Sequence, residues 1–190
     1  MQLSLSNQGL YGLQRLVLIS RHGMRHFSPF SHINMKKNQP NMVDIGAKDR
    51  SFRVAMASCT ITLPDAVLEQ LKLDENEIHS PKGPVFATAI VAGTMAAKRT
   101  SDLIPFCHSL PLESCKIDII PNMKDLIVQC TVKTYYKTGV EMEALTGASI
   151  TALCIYDMCK SISSELIIKD TRLCYKRTST HPATDPLTTH

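Results

Sequence analysis

An α+β fold, an antiparallel sheet with helices packed on one face, is predicted by three features of the 190-residue sequence. Segments of period-two hydrophobicity recur along the chain, two long segments of helical period separate them, and the residues between are of turn and cap type.

The first strand is predicted over Ala57 to Leu63, where Ala57, Cys59, Ile61 and Leu63 alternate with Ser58, Thr60 and Thr62. Pro64 and Asp65 open a short helix through about Leu71, with proline at an early position that a helix tolerates. Lys82-Gly83-Pro84 reads as a turn. After it Phe86, Ala89, Ile90, Gly93, Ala96 and Ala97 recur at helical spacing, and Pro105 ends this second helix. Its small residues allow another backbone to come close. Ile117 and Ile119 then alternate with Lys116 and Asp118, and Leu126, Val128, Cys130 and Val132 with Ile127, Gln129, Thr131 and Lys133. Pro121-Asn122 between them is turn chemistry, so an antiparallel hairpin is predicted. The longest helix is predicted from about Val140 to Ser161, with Ala144, Ala148, Ala152, Ile155 and Cys159 along one stripe. Leu166 to Tyr175 is the last strand. Residues 178–190 are polar, contain two prolines, and are expected to be disordered. With the short helix set aside, the order is β-α-β-β-α-β, the split βαβ or ferredoxin-like arrangement.

The length suits one domain with a real core. Composition is 44% hydrophobic and 20% charged, ordinary for a soluble protein, with no apolar run long enough to cross a bilayer. The net charge of +4 is unevenly spread. Residues 1–41 hold Arg15, Arg21, Arg25, Lys36 and Lys37 and no acid, which leaves 16 basic against 17 acidic residues, a net of −1, for the rest. A phosphate-backbone footprint is therefore not indicated. The acid-free leader, with its apolar patch Leu16-Val17-Leu18-Ile19, fits an amphipathic mitochondrial transit peptide and a matrix destination; the alternative is a disordered extension without an address, on a cytoplasmic protein. Seven cysteines without a C-x-x-C pair read as reduced, mostly buried thiols of an intracellular protein, so neither a metal centre nor a disulfide framework is expected. Walker A and G-x-G-x-x-G sequences are absent.

Several residues have the chemistry for catalysis. Asp157 and Lys160 stand at i, i+3 on one side of the long helix, an acid/base couple or, more commonly, a solvated ion pair. Glu141 and Glu143 occupy that helix's first turn, where carboxylates suit the dipole. Glu143 and Asp157 share nearly one face but lie about 21 Å apart along the axis at 1.5 Å per residue. A small pocket using both would have to draw on two chains, and small-residue helix faces would suit such packing. His108 follows a helix end and is either hydrogen-bonded structure or a proton-exchanging ligand contact. Lys48, Arg53, Lys82 and Lys176 are singly solvated cations; together they would clamp a polyphosphate.

Four motifs carry a resemblance. Met42-Val43-Asp44-Ile45-Gly46-Ala47-Lys48, Leu103-Ile104-Pro105-Phe106-Cys107-His108, Lys137-Thr138-Gly139-Val140-Glu141-Met142-Glu143-Ala144-Leu145-Thr146 and Tyr156-Asp157-Met158-Cys159-Lys160 resemble the cyclic pyranopterin monophosphate synthase (MoaC) family, in order and spacing, from about residue 41 to 176. The resemblance implies a phosphorus–oxygen lyase of molybdenum cofactor (molybdopterin) biosynthesis. Its substrate would be 3′,8-cyclo-7,8-dihydroguanosine 5′-triphosphate, and its products cyclic pyranopterin monophosphate and diphosphate. It implies a ferredoxin-like fold in a hexamer, a trimer of dimers with sites at the dimer interface. By motif, Asp157 is the expected acid/base with Lys160 and Lys82 as catalytic partners. Phe106, Cys107, His108, Met142, Glu143 and Glu141 are the expected substrate contacts, and Lys48, Arg53 and Lys176 would hold the triphosphate. No resident cofactor or metal is expected, beyond a Mg2+ ion that the triphosphate can bring with it; neither are nucleic-acid or membrane partners. The implied organisation is a leader over 1–41, a catalytic domain over 42–177 and a tail over 178–190.

The chain departs from the family at Pro84, where an acid is usual, and at Ser109 after His108. After Lys176 a Gly- and Lys-rich ending is replaced by Arg177-Thr178-Ser179-Thr180-His181-Pro182. That ending favours a second reading, a catalytically weak homologue acting as partner of the upstream radical enzyme. An RNA-recognition module shares the element order but needs base-stacking aromatics on its central strands, and the predicted strands carry almost none.

Overall fold

The computed structural model describes residues 33–34, 39–70, 72–74 and 77–181. The expectations for the leader fall outside these, apart from β1 (Ile33–Asn34) and β2 (Gln39–Pro40), which pair antiparallel. So do those for residues 182–190. There follow β3 (Ser51–Thr62), α1 (Asp65–Gln70), β4 (Lys72–Asp74), β5 (Glu77–Ser80), β6 (Gly83–Pro84), α2 (Val85–Lys98) and α3 (Thr100–Leu103). The rest is β7 (Ser114–Asn122), β8 (Asp125–Tyr136), α4 (Glu141–Cys159) and β9 (Ile167–Ser179). The main sheet has the order β7-β8-β3-β9 and is antiparallel throughout, with α2 and α4 on one face. This is the predicted α+β arrangement, consistent with a ferredoxin-like fold.

Register explains the core. The pairs Ala55↔Val132, Ala57↔Cys130, Cys59↔Val128 and Ile61↔Leu126 bring buried residues opposite buried residues. A slip of one residue in either strand would turn that strand's four toward the other face. Over this layer, Ala144, Ala148, Ala152 and Ile155 of α4 are fully buried, as are Val85 and Ala89 of α2. The two helices meet at glycines. A Cβ on Gly93 would collide with the Thr151 hydroxyl and stand 2.8 Å from the Gly147 carbonyl oxygen, and one on Gly147 would stand 2.6 Å from Cys130 Sγ. The small-residue faces expected to suit packing between two chains are thus consumed within one chain, by the contact of α2 with α4.

Other differences have local causes. β3 begins at Ser51, six residues before the prediction, because β8 runs on to Tyr136 and pairs with it along its whole length. The added turns of strand carry Phe52, Tyr135 and Tyr136, so the sheet holds more aromatics than expected. Phe52 packs against Tyr135, ring centroids 4.6 Å apart, and Arg50 lies over Tyr136 at 5.7 Å. The hairpin turn is Met123-Lys124 instead of Pro121-Asn122. Pro121 stays in β7 because that strand lies at the sheet edge, where a missing N–H is tolerated. Met123 takes up the reversal at φ 55°. The second helix is broken at Arg99 (φ −108°, ψ 15°), before Pro105. Thr178 and Ser179, assigned to the tail, are strand residues opposite Arg53 and Phe52. Between β3 and α2 the small sheet β4-β5-β6 was not anticipated.

Candidate functional site

The sequence-selected residues form two groups, one at each end of α4. At its C-terminal end stand Lys82, Asp157 and Lys160. Lys82 comes from the turn joining β5 to β6, where its backbone N–H donates to Ser80 Oγ (3.1 Å) and that hydroxyl donates to the Gly83 carbonyl (3.2 Å). Gly83 has φ 115°, which only glycine adopts readily. From this fixed turn, Lys82 Nζ donates to the Asp157 carbonyl oxygen at 2.8 Å and to Asp157 Oδ2 at 3.1 Å. Lys160 Nζ reaches Asp157 Oδ1 at 2.7 Å. Two ammonium groups at a helix C-terminus also meet the negative end of its dipole.

Hydrogen bonding from Lys160, then from Lys82, holds the Asp157 carboxyl below its usual range, and the bond to Asp157 pushes the Lys160 ammonium up. All three side chains are about half exposed, so their pairing adds little stability. What it produces is an ionised carboxylate held between two proton donors at the surface. Cys159 beneath it is pushed up to about 11 by burial and stays a thiol.

The second group surrounds the N-terminal end of α4. Glu143 is 5% exposed; burial, with a smaller push from the Glu141 charge, raises its carboxyl. The Cys107 thiol is raised by burial and then by Glu143. His108 is half-buried and its Nε2 lies 2.7 Å from the Val43 carbonyl oxygen, so that nitrogen carries the proton. Glu141 pairs with Lys176 at 3.5 Å. Arg53 donates from Nη1 to Thr178 Oγ1 (3.1 Å), while its Nε is buried without a partner among the described residues. Phe106 and Met142 stay exposed beside Cys107 and Glu143, and Lys48 is exposed on the segment that His108 ties down.

Asp157 and Glu143 are fourteen residues apart on one helix, hence about 21 Å. One chain therefore brings Lys82, Asp157 and Lys160 together, and Cys107, His108 and Glu143 together, but not the two groups. An open groove of about 550 Å3 on the outer side of α2 and α3, lined by Met95, Arg99 and Leu103 among others, contains none of these residues. Among the described residues no three His, Cys, Asp or Glu side chains are grouped to hold a metal ion, and no helix is long and apolar enough to cross a membrane.

Two residues escaped the sequence reading. Glu77 is a side-chain cap for α2, accepting from the N–H groups of Phe86 (2.6 Å) and Ala87 (2.9 Å). Lys137 donates to the Gly46 carbonyl oxygen at 2.6 Å across 91 residues of sequence. Neither has a local signal, because the partner lies in another element.

Residues 42–179 match the MoaC family. The chain is 54% identical over 152 residues to a "Molybdenum cofactor biosynthesis bifunctional protein" of Synechocystis, covering 77% of this chain and 43% of that protein. It is 52% identical over 162 residues to "Molybdenum cofactor biosynthesis protein 1" of Dictyostelium discoideum, covering 77% of this chain and 26% of that one. A "Cyclic pyranopterin monophosphate synthase" of Xanthomonas oryzae is 48% identical over 139 residues, 73% of this chain and 83% of its own length. The chain thus spans less than half of the first two relatives and most of the third.

Proposed function

Since the chain belongs to the MoaC family, we propose that it is a cyclic pyranopterin monophosphate synthase, a lyase that forms the pterin product and diphosphate from 3′,8-cyclo-7,8-dihydroguanosine 5′-triphosphate. The observation that carries this reading is the cluster of Lys82, Asp157 and Lys160, a carboxylate bonded to two ammonium groups at 3.1 and 2.7 Å.

In this reading the phosphates of the incoming substrate compete with Asp157 for Lys82. As that bond loosens, the carboxylate becomes a stronger base, and Lys160 stays protonated as the acid. Asp157 takes the proton of a ribose-derived hydroxyl whose oxygen attacks the α-phosphorus. A new P–O bond forms, the α–β anhydride bond breaks, and diphosphate leaves with charge stabilised by lysine. Lys48, Arg53 and Lys176 hold the phosphate chain, and Phe106, Cys107, His108, Met142, Glu143 and Glu141 bound the ring system. The site needs no resident cofactor; Mg2+ enters only with the triphosphate.

The separation of the two groups by about 21 Å of α4 supports a shared site in which one protomer supplies the Asp157 end and its partner the Glu143 end. A hexamer, a trimer of such dimers, is the proposed assembly. The acid-free, arginine-bearing residues 1–41 support a mitochondrial matrix location.

The test is incubation of the purified protein with the cyclised triphosphate, following diphosphate and pterin together, with Asp157→Asn and Lys160→Ala alongside. Product from the wild type and none from the variants upholds the reading. Binding without release would replace it with that of a weak homologue, favoured by Thr178 and Ser179 standing where a Gly- and Lys-rich ending is usual.

A further inference from the structure

Residues 41–50 contain no helix or strand, yet four hydrogen bonds fix their course. Asp44 Oδ1 accepts from the Gly46 N–H at 2.7 Å, and the Ile45 carbonyl accepts from the Lys48 N–H at 3.1 Å, which together fold 44–48 into a turn. The other two come from distant parts of the chain. His108 Nε2 donates to the Val43 carbonyl at 2.7 Å, and Lys137 Nζ donates to the Gly46 carbonyl at 2.6 Å. One tether ends beside Cys107 and Glu143. The other ends in the turn that leads into α4.

A lysine on a neutral carbonyl is an expensive way to fix a loop, because the ammonium gives up water for one charge-assisted bond. Here that bond falls on the middle residue of the turn whose last residue is Lys48. A loose segment would have to be ordered each time an anion bound, at a cost in affinity. A tethered one has that ordering behind it.

We propose that Lys137 is a positioning residue for anion binding: by holding Gly46 it fixes the 44–48 turn, and so the backbone that presents Lys48, against the loop leading into α4. The proposal rests on the reading of Lys48 as part of the triphosphate subsite. Because the tether acts on binding and not on bond-making, its loss raises KM and spares kcat.

The test uses the full chain with Lys137→Met, which keeps the apolar stem, and Lys137→Arg, which keeps a charged donor. Lys137→Gln is the second disabled variant should the first not fold. Three quantities are read: amide exchange at Gly46–Lys48 without ligand, inhibition by inorganic triphosphate, and KM against kcat for the cyclised substrate. In Lys137→Met, exchange, Ki and KM should each rise about tenfold, the loss of one charge-assisted bond, with kcat within about twofold and recovery in Lys137→Arg. Unchanged exchange in Lys137→Met overturns the tether. Faster exchange with Ki unmoved overturns its role in binding. Should the wild type turn nothing over, the proposed activity fails, while exchange and triphosphate inhibition still decide the role of Lys137.

Discussion

Lys82 holds Asp157 at two points, the backbone carbonyl oxygen at 2.8 Å and Oδ2 at 3.1 Å, while Lys160 takes the remaining carboxylate oxygen. Lys82 and Lys160 both hold the carboxyl below its usual range, Lys160 the more strongly. In Lys82→Met the Asp157 carboxyl should therefore titrate at higher pH than in the wild type, though still below an unpaired group. The acid limb of kcat/KM should move upward with it. A limb that stays in place in Lys82→Met would show that Asp157 is not the base.

Glu77 supports α2 from outside the helix. Burial acts to raise its carboxyl, but bonds from the Phe86, Ala87 and Ile78 N–H groups outweigh it and the carboxyl is lowered. A lowered carboxyl contributes stability above its unfolded value, and that contribution disappears as pH falls through the folded value. Glu77→Gln should cost about 1–2 kcal/mol at pH 7, the loss of a charged helix-start acceptor. The difference between variant and wild type should shrink below about pH 4, near the reference carboxyl value. Thermal melts at pH 7 and pH 3.5 check both statements.

Glu143 behaves oppositely. Burial raises its carboxyl, so ionisation opposes folding and stability declines as pH rises from the unfolded value through the folded one. Glu143→Gln should match or exceed the wild type in thermal midpoint at pH 8 and lose the advantage at pH 4. If its proton is used in turnover, the same variant should fall in kcat by at least about tenfold, within the usual range for acid–base groups. A large loss of stability at pH 8 would contradict the burial argument.

Gly93 lies where α2 and α4 touch. Alanine would add about 1 kcal/mol of helix propensity. Its Cβ would also collide with the Thr151 hydroxyl and press on the Gly147 carbonyl at 2.8 Å. Overpacking of this kind costs about 1–3 kcal/mol, and because one neighbour is backbone the net change should be destabilising. Denaturant unfolding of Gly93→Ala, and of Gly93→Ala with Thr151→Ala, would show a partial recovery in the double variant.

The element order was legible because alternation in β3 and β8 and the stripe on α4 are local signals. Ala57, Cys59 and Ile61 in the one strand, and Ala144 to Cys159 in the helix, announce their buried faces without any partner. What escaped depends on partners. Pro121 suggests a turn until β7 is known to be an edge strand, and Gly93 suggests a surface for another chain until Gly147 is found opposite it. At the site, Asp157 and Lys160 could be paired from helical spacing alone. Lys82 joins them from 75 residues away: the family resemblance groups it with Asp157, but no local spacing does, and the contact itself follows from the course of the β5–β6 turn.

β3 lies between β8 and β9, and among the described strands β9 is synthesised after the others. Until residue 167 and those after it emerge, the nascent chain can assemble β7, β8, β3 and both long helices, but the other edge of β3 stays bare. An open edge recruits other chains. A chain stopped near residue 165 should therefore collect in aggregates, leaving little inactive monomer, and the thirteen-residue β9 acts as the clasp that covers this edge of β3.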